Sequence, residues 1–297
     1  MTSSPAAPCL VFDYGGEGEH KSTTLFSVSD GAHRAGTRAP PPTGSRALPP
    51  LPQQPTPWWS VCALSGSPTA AGGCTVLLAE PPQSGDVLWY CHAGGSARAA
   101  TWSRHEYDLG GGDGGDKGPY ISCSIGLASC RGRFYYNHSS TECGVIDFSL
   151  AAAGTPPALS TLPMEPVPLP FAEAASLSTV EIDGELYTVA VYIHYRGAGF
   201  HAAVAVAGIY RMDLGRREHV RVESVGDRAI LASSGRFFGG GGWCPATEFG
   251  LIPNSVYWMS YSDRRLHVFD LELGTEEVRE LYEGVADAKH HHPRRFG

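Results

Sequence analysis

Short runs of β-branched and aromatic residues, each bounded by Asn, Asp, Ser or Gly, recur along the whole chain. The clearest case lies at residues 250–281, where runs at 256–259 and 266–271 are separated by a polar turn and a third run begins at Glu276. Runs of this length between turn residues are typical of strands joined by hairpins. We therefore predict a meander of short strands in this part of the chain.

The same pattern predicts strands upstream, beginning with a hairpin formed by residues 8–14 and 25–31. Further strands are predicted at 74–79, 86–91, 100–109, 121–128, 133–137, 144–148, 177–182, 185–195, 203–214 and 219–225. Helical periodicity is weak, and residues 170–176 are the best candidate for a helix. Residues 151–170 are interpreted as a loose Ala/Pro stretch. The pattern therefore predicts an all-β chain.

The predicted strands group into units that share an internal pattern. Each unit has a run with an early aromatic residue and a later run that ends in Asp and an apolar residue, as in GRFYYN…GVIDFS, GELYTV…GIYRMDL, NSVYWM…LHVFDLE and DVLWYC…HEYDL. A single sheet of this kind cannot bury both faces, so copies must stack around a centre. We predict an all-β, kelch-like β-propeller built of repeated four-stranded meanders.

Aspartates close these units at Asp108, Asp147, Asp213 and Asp270. A carboxylate at a strand end is well placed to accept hydrogen bonds from the amides of the following turn. We predict this structural role for the four aspartates rather than a catalytic one.

A proline-rich stretch at about residues 35–57 interrupts the pattern of strands. Proline fixes φ and removes a ladder donor, so this stretch is excluded from the centre of a sheet. It is predicted to be a linker or a disordered insert. The predicted organisation is a disordered N-terminus at 1–7, a propeller domain at 8–283 that carries this insert, and a disordered tail at 284–297.

Composition and charge narrow the functional class. The formal net charge is −8, and no basic stripe with interleaved aromatics is found, so no nucleic-acid partner is expected. No apolar run of about eighteen residues occurs, so no membrane association is expected. The N-terminus lacks a basic start and an apolar core, which indicates an intracellular, soluble protein, cytoplasmic or nuclear. The eight cysteines are accordingly expected to be reduced.

Motifs that would carry chemistry are weak or absent in the sequence. The glycines at 239–242 lack the Lys-Ser/Thr of a phosphate loop, and the loop at 110–118 lacks the ligand pattern of a calcium loop. The histidines at 290–292 lie in a polar tail, and the other histidines show no metal-type spacing. We therefore expect no catalytic residue, no metal site and no cofactor.

Several segments of the chain together carry a family resemblance: PCLVFDYGGEGEHKSTTLFSVSDGAHRAG, SCRGRFYYN…CGVIDFS, TVEIDGELYTVAVY, GIYRMDL, VGDRAILASS and WCPATEFGLIPNSVYWMSYSDRRLHVFDLELGTEEVREL. They resemble a large plant family, the F-box-associated proteins with a KIB-type β-propeller, also called domain of unknown function 295. The resemblance covers about residues 8–34 and 60–283. The resemblance implies a propeller that holds a partner protein, which in many members is the substrate of a ubiquitin ligase.

The sequence departs from that family in two places. The few residues before Pro8 are too short for an F-box, so direct binding to a ubiquitin-ligase adaptor is not expected. The proline-rich stretch stands where the resemblance implies blade strands. The sequence is therefore compatible with either a closed propeller ring or an incomplete one. Three hypotheses follow: a non-enzymatic protein-interaction module, a propeller hydrolase with carboxylates in the central channel, and a non-functional truncated copy.

Arginines and aromatic residues on loops are the usual anchors of a protein interface. On this basis we predict a partner-binding role for a set of seven residues and an unknown protein as the partner. The set consists of Arg131, Arg196, Arg236, Phe237, Trp243, Arg264 and Arg265.

Overall fold

Strands make up most of the described residues in the computed structural model. The structure describes residues 9–14, 22–27, 32–35, 52, 61–66, 73–80, 87–93, 101–106, 120–123, 127–149, 156–168, 174–196, 201–233, 241–259 and 265–280. Within these ranges the one helix is α1, Ala246–Phe249. None of the described helical residues forms a segment long and apolar enough to cross a membrane.

The described strands are, in chain order, β1 Cys9–Tyr14, β2 Ser22–Ser27, β3 Ala32–Ala35, β4 Val61–Leu64, β5 Cys74–Ala79, β6 Val87–Ala93, β7 Ser103–Glu106, β8 Tyr120–Cys123, β9 Ala128–Cys130, β10 Arg133–Asn137, β11 Glu142–Asp147, β12 Ala158–Pro163, β13 Ala174–Ile182, β14 Glu185–Arg196, β15 His201–Asp213, β16 Glu218–Val222, β17 Arg228–Ser233, β18 Gly242–Pro245, β19 Ser255–Met259, β20 Arg265–Asp270 and β21 Thr275–Glu280.

These strands form five sheets, which we number I to V. Sheet I has the order β1-β2-β3, sheet II β4-β5-β6-β7, and sheet III β12-β11-β10-β9. Sheets II and III are antiparallel four-stranded meanders, as the sequence pattern predicts. Sheet IV is a meander of β13 to β16 to which β8 adds in parallel beside β13.

Sheet V departs from a simple meander. Its order is β18-β17-β19-β20-β21, so β17 lies between two strands that follow it in the chain. β17 pairs antiparallel with β18 and parallel with β19. The chain must therefore cross from β18 past β17 before it enters β19, and the segment that does so contains α1.

Sheets II to V are successive blades of a β-propeller. Their first strands lie next to one another, since β4 contacts β9, β9 contacts β13, and β13 contacts β18. The faces of consecutive sheets pack together, as a propeller requires. This arrangement confirms the prediction of an all-β propeller.

Period-2 alternation of side chains lets each strand serve two interfaces. In β19, Val256 and Trp258 belong to the cluster shared with sheet IV, whereas Tyr257 and Met259 belong to a cluster on the other face of sheet V. Both faces are therefore apolar, and all four side chains are buried. Burying both faces of the strand is what distinguishes it from the one-sided strand of an exposed sheet.

Among the described residues, three apolar clusters join neighbouring blades. Sheets II and III share a cluster that includes Leu77, Leu88, Tyr90, Phe134 and Ile146. Sheets III and IV share one that includes Tyr135, Cys143, Val145, Leu186 and Met212. Sheets IV and V share the largest, with Val189, Val191, Ile209, Ile230, Val256, Trp258 and Phe269 among its members.

Some of the sequence-based predictions were wrong. The candidate helix at 170–176 is strand from Ala174 onward, because this segment begins the long inner strand β13. The loose Ala/Pro stretch contains β12, whose residues are all exposed or half-buried and do not alternate strictly between apolar and polar. The predicted strand at 121–128 is two strands, β8 and β9, which belong to different sheets. Residues 36–60 lie outside the described residues apart from Pro52, as do the tail at 284–297 and residues 1–8.

The closing aspartates hold their turns as predicted. Asp147 accepts a hydrogen bond from the Ser149 amide at 2.7 Å. Asp213 accepts from the Gly215 amide at 3.1 Å and the Arg216 amide at 3.0 Å. Asp270 accepts from two amides of its turn, each at 2.9 Å. Asp108 lies outside the described residues.

The Asp147 turn predicts an acid-sensitive contribution to stability. Hydrogen bonds from Ser149 lower the pKa of Asp147. A carboxylate with a lowered folded-state pKa stabilises the fold above its unfolded pKa of about 3.9 and loses this contribution as the pH falls through the folded value. Asp147→Asn should lower the free energy of unfolding by about 1 kcal/mol near neutral pH and by less near about pH 3.

Urea unfolding at the two pH values measures this difference. Glu272→Gln is the control, because among the described residues the Glu272 carboxylate has no hydrogen-bond partner. An equal loss at both pH values for Asp147→Asn would show that the ionised carboxylate is not the stabilising group.

Gly144 makes room for an aromatic ring within sheet III. Gly144 pairs with Tyr136 across β10 and β11, and a Cβ atom at residue 144 would lie 2.0 Å from the Tyr136 Cζ atom. The Tyr136 side chain is buried in the cluster between sheets II and III, so its ring has no open space into which to move. A residue without a side chain is therefore needed at this position.

Gly144→Ala should destabilise the protein by about 1–3 kcal/mol through overpacking. Gly66→Ala is the matched control, since a Cβ atom there meets nothing within 4 Å. The midpoint of urea unfolding, followed by tryptophan fluorescence, compares the two variants. Equal midpoints would show that the Tyr136 ring moves aside without cost.

Candidate partner-binding site

The tight turns of sheets III to V lie together at one end of the propeller, which we call the turn face. The turn from β9 to β10 lies beside the turn from β13 to β14, since Cys130 Sγ lies 3.2 Å from the Gly184 carbonyl oxygen. The latter turn reaches sheet V, where Arg228 bonds Asp183. The Asn254 amide donates to the Gly226 carbonyl at 3.0 Å, which extends the same end to the start of β19. The turn face is thus continuous across three blades.

Two turns of this face share one backbone geometry. Arg131 and Gly132 join β9 to β10 with φ angles of 51° and 80°, and Asp183 and Gly184 join β13 to β14 with φ angles of 52° and 82°. Two-residue hairpin loops with both φ angles positive are type I′ turns, which favour Asn, Asp or Gly at the first position. Aspartate in the second hairpin fits this preference, whereas arginine in the first does not.

A cleft surrounds the turn that carries Arg131. It has a volume of about 740 Å³ and lies between sheets II and III, with Leu214 of sheet IV at its edge. The described residues that line it are Ser65, Gly73, Cys74, Thr75, His92, Ala93, Arg131, Gly132, Arg133, Tyr135, Phe148, Ser149 and Leu214. Two arginines and a histidine are among them, and no carboxylate is. The described lining of the cleft is therefore basic, although the net charge of the chain is negative.

Arg133 is held in place by its neighbours. Its Nε atom lies 2.7 Å from Asp147 Oδ2. The hydrogen bond to Tyr135 and the Asp147 charge raise the pKa of Arg133, so the guanidinium is charged at all physiological pH values. Burial raises the pKa of Tyr135, so this hydroxyl remains neutral. The pair with Asp147 fixes the guanidinium but also offsets its charge.

Arg131 differs from Arg133 because it is exposed and has no ion-pair partner among the described residues. Glu181 and Glu185 are close enough to the neighbouring Cys130 for their charges to raise the pKa of its thiol. Glu181 accepts a hydrogen bond from the Gly184 amide, and Glu185 lies 3.7 Å from Arg211. Both of these acids therefore have partners other than Arg131 within the part of the chain that the structure describes.

Aromatic rings form the inner end of the cleft. Phe148 contacts Tyr90 and Phe134 edge-on, with centroid distances of 5.1 Å and 5.8 Å. His92 is exposed beyond them, with its ring 5.9 Å from that of Phe148 and its Nδ1 atom 2.9 Å from Thr75 Oγ1. The cleft therefore combines exposed arginines with the half-buried ring of Phe148.

Trp243 lies at the inner edge of sheet V rather than free on a loop. It is half-buried against the cluster between sheets IV and V, and the Arg228 guanidinium lies 5.1 Å from its ring centroid. Arg228 also donates to the Val225 carbonyl at 2.8 Å. Trp243 therefore packs within the blade, and its predicted role in partner binding stays a prediction.

The other predicted anchors do not lie together with Arg131. Arg196 ends β14 and Arg265 begins β20, so both lie at the opposite end of the sheets from the turn face. Arg236, Phe237 and Arg264 lie outside the described residues. Of the four predicted anchors within the described residues, Arg131 is the one that lines the cleft.

Sequence reasoning missed several residues of the cleft. Arg133, His92 and Phe148 come from two different sheets, and no spacing in the sequence brings them together. The Arg-Gly pair that precedes a strand was the available signal, because arginine is unusual at a left-handed turn position. Within the described residues, no group of three His, Cys, Asp or Glu side chains could hold a metal ion.

The Arg228 contacts predict a measurable contribution to stability. Arg228→Lys retains the charge but loses the planar group that stacks on Trp243 and bonds both Asp183 and the Val225 carbonyl. We expect a loss of about 1–2 kcal/mol in the free energy of unfolding. Arg221→Lys, at an exposed ion pair of β16, should change it by less than about 0.5 kcal/mol. Equal urea midpoints for the two variants would contradict this interpretation.

Comparison with known proteins gives one match. A family model described as the KIB1-4 beta-propeller matches residues 25–279, which run from β2 to β21. No curated protein and no solved structure matches the chain. The matched range is most of the chain and contains sheets II to V with the cleft. The chain therefore belongs to the KIB1-4 β-propeller family.

Proposed function

We propose that this protein is a non-enzymatic interaction module whose propeller holds a partner protein at the turn face. The observation that carries the proposal is the exposed, unneutralised Arg131 at the rim of a preformed cleft between two blades. Arginines beside apolar pockets are frequent centres of binding energy in protein interfaces. Family membership supports the same conclusion, because the resemblance implies a propeller that recognises substrates for plant F-box proteins.

The hydrolase hypothesis receives less support from the described residues. A hydrolase of this architecture needs converging carboxylates at the centre, where the first strands of the blades meet. Among the described residues of β4, β9, β13 and β18, the one carboxylate is Glu181. Its Oε1 atom accepts the Gly184 amide and so stabilises a turn. The observations favour recognition over catalysis.

The packing of the blades argues against the hypothesis of a non-functional truncated copy. Sheets II to V bury large side chains completely, including Phe134, Ile209, Ile230 and Tyr257. Apolar clusters connect each blade to the next. A chain that makes these contacts has the core that a folded domain needs, which favours a functional module.

Affinity capture from a plant cell extract tests the proposal. The immobilised full chain should enrich specific proteins over bare matrix, and Arg131→Glu should lower their capture by about tenfold, the effect of losing about 1.4 kcal/mol. Arg221→Glu is the control, since it makes the same change of charge at an exposed site on β16. Failure of the wild-type chain to enrich any protein would overturn the proposal.

A further inference from the structure

We propose that the cleft around Arg131 binds an acidic segment of the partner protein, with a carboxylate on Arg131 and an apolar side chain against Phe148. This inference rests on the proposed function and adds the chemistry of the ligand. It is carried by the charge, the backbone and the shape of the cleft.

The charge of the cleft is opposite to that of the chain. The formal net charge of the protein is −8, yet no carboxylate is among the described residues that line the cleft. Asp147 offsets Arg133, so the uncompensated cation is Arg131. A guanidinium can bind a carboxylate through two parallel hydrogen bonds, which a neutral amide cannot match. The site therefore favours Asp or Glu side chains over uncharged ones.

The backbone conformation at residue 131 is unfavourable for arginine. A non-glycine residue at a φ of 51° lies in the left-handed region, where asparagine, aspartate and glycine are tolerated best. The equivalent turn between β13 and β14 has Asp183 at the matching position. The fold can therefore build this turn with a favoured residue, so the turn geometry itself does not require arginine at this position.

The shape of the cleft suits a peptide segment. A volume of about 740 Å³ lies within the usual range for ligand sites, roughly 300–1,000 Å³. Phe148 supplies an apolar surface, and the Ser65 and Ser149 hydroxyls supply polar groups at the walls. Cations at the rim and an aromatic ring within are complementary to a segment that mixes acidic and aromatic residues.

Fluorescence anisotropy with a labelled peptide of alternating glutamate and tyrosine tests the proposal on the full chain. The matched peptide has glutamine in place of glutamate. We expect the glutamate peptide to bind at least about tenfold more tightly at low ionic strength. The preference should shrink as salt is added, because exposed charges are screened.

Two substitutions separate binding from folding. Arg131→Glu should weaken binding of the glutamate peptide by about tenfold, and the control Arg221→Glu by less than about twofold. Arg131→Asn places a favoured residue in the left-handed turn, so its urea unfolding midpoint should be no lower than that of the wild type while binding is weakened. This combination identifies a binding residue, since a merely structural arginine would lose stability on substitution.

Equal affinity for the two peptides would overturn the proposed ligand chemistry. An equal effect of Arg131→Glu and Arg221→Glu would also overturn it, because the attraction would then reflect overall charge rather than this cleft. If either result is obtained but the wild-type chain still captures proteins from extract, the proposed interaction function is supported. Only the acidic ligand is then rejected. Absence of capture would reject the function itself.

Discussion

Face-to-face packing between neighbouring sheets is the interaction on which the rest of this structure depends. Each inner strand must offer apolar side chains to two sides, and the alternation of Val256, Tyr257, Trp258 and Met259 shows how one short run does so. Burial of side chains of this size stabilises a fold by about 1.5–3 kcal/mol each, against the conformational entropy lost on ordering. No sheet of this kind is stable alone, so the blades fold as neighbours or not at all.

The same packing determines where chemistry is available. Because the strand interiors are occupied by the core, the exposed polar groups are left to the turns at the strand ends. Hydrogen bonds of Asp147, Asp213 and Asp270 fix the outer turns. The inner turns are fixed by contacts between blades, from Cys130 to Gly184 and from Asp183 to Arg228. Arg131 therefore extends from a rigid support, which lowers the entropy lost when a partner binds.

The strands with regular alternation and clear turn residues could be predicted from the sequence, and β5 and β10 match their predicted limits. Exposed β12 could not, because its outer position removes the apolar signal. The position of β17 in its sheet could not be predicted either. Its parallel partner β19 is separated from it in the chain by β18 and α1, so the two strands do not form a recognisable hairpin. Of the cleft, Arg131 was predicted as a loop arginine. His92 and Phe148 were not, because packing between two sheets brings them together.

The position of β17 in sheet V determines the order in which the strands of this sheet can pair. Both of its neighbours in the sheet follow it in the chain, so β17 is synthesised before any other strand of its own sheet. Its apolar residues Ile230 and Ala232 can meet the face of sheet IV early, but the parallel ladder waits for β19. Pairing across such a separation is slow relative to hairpin formation. Completion of sheet V therefore waits for β19, and until β19 pairs, one edge of β17 is open to chaperones or to other copies of the chain.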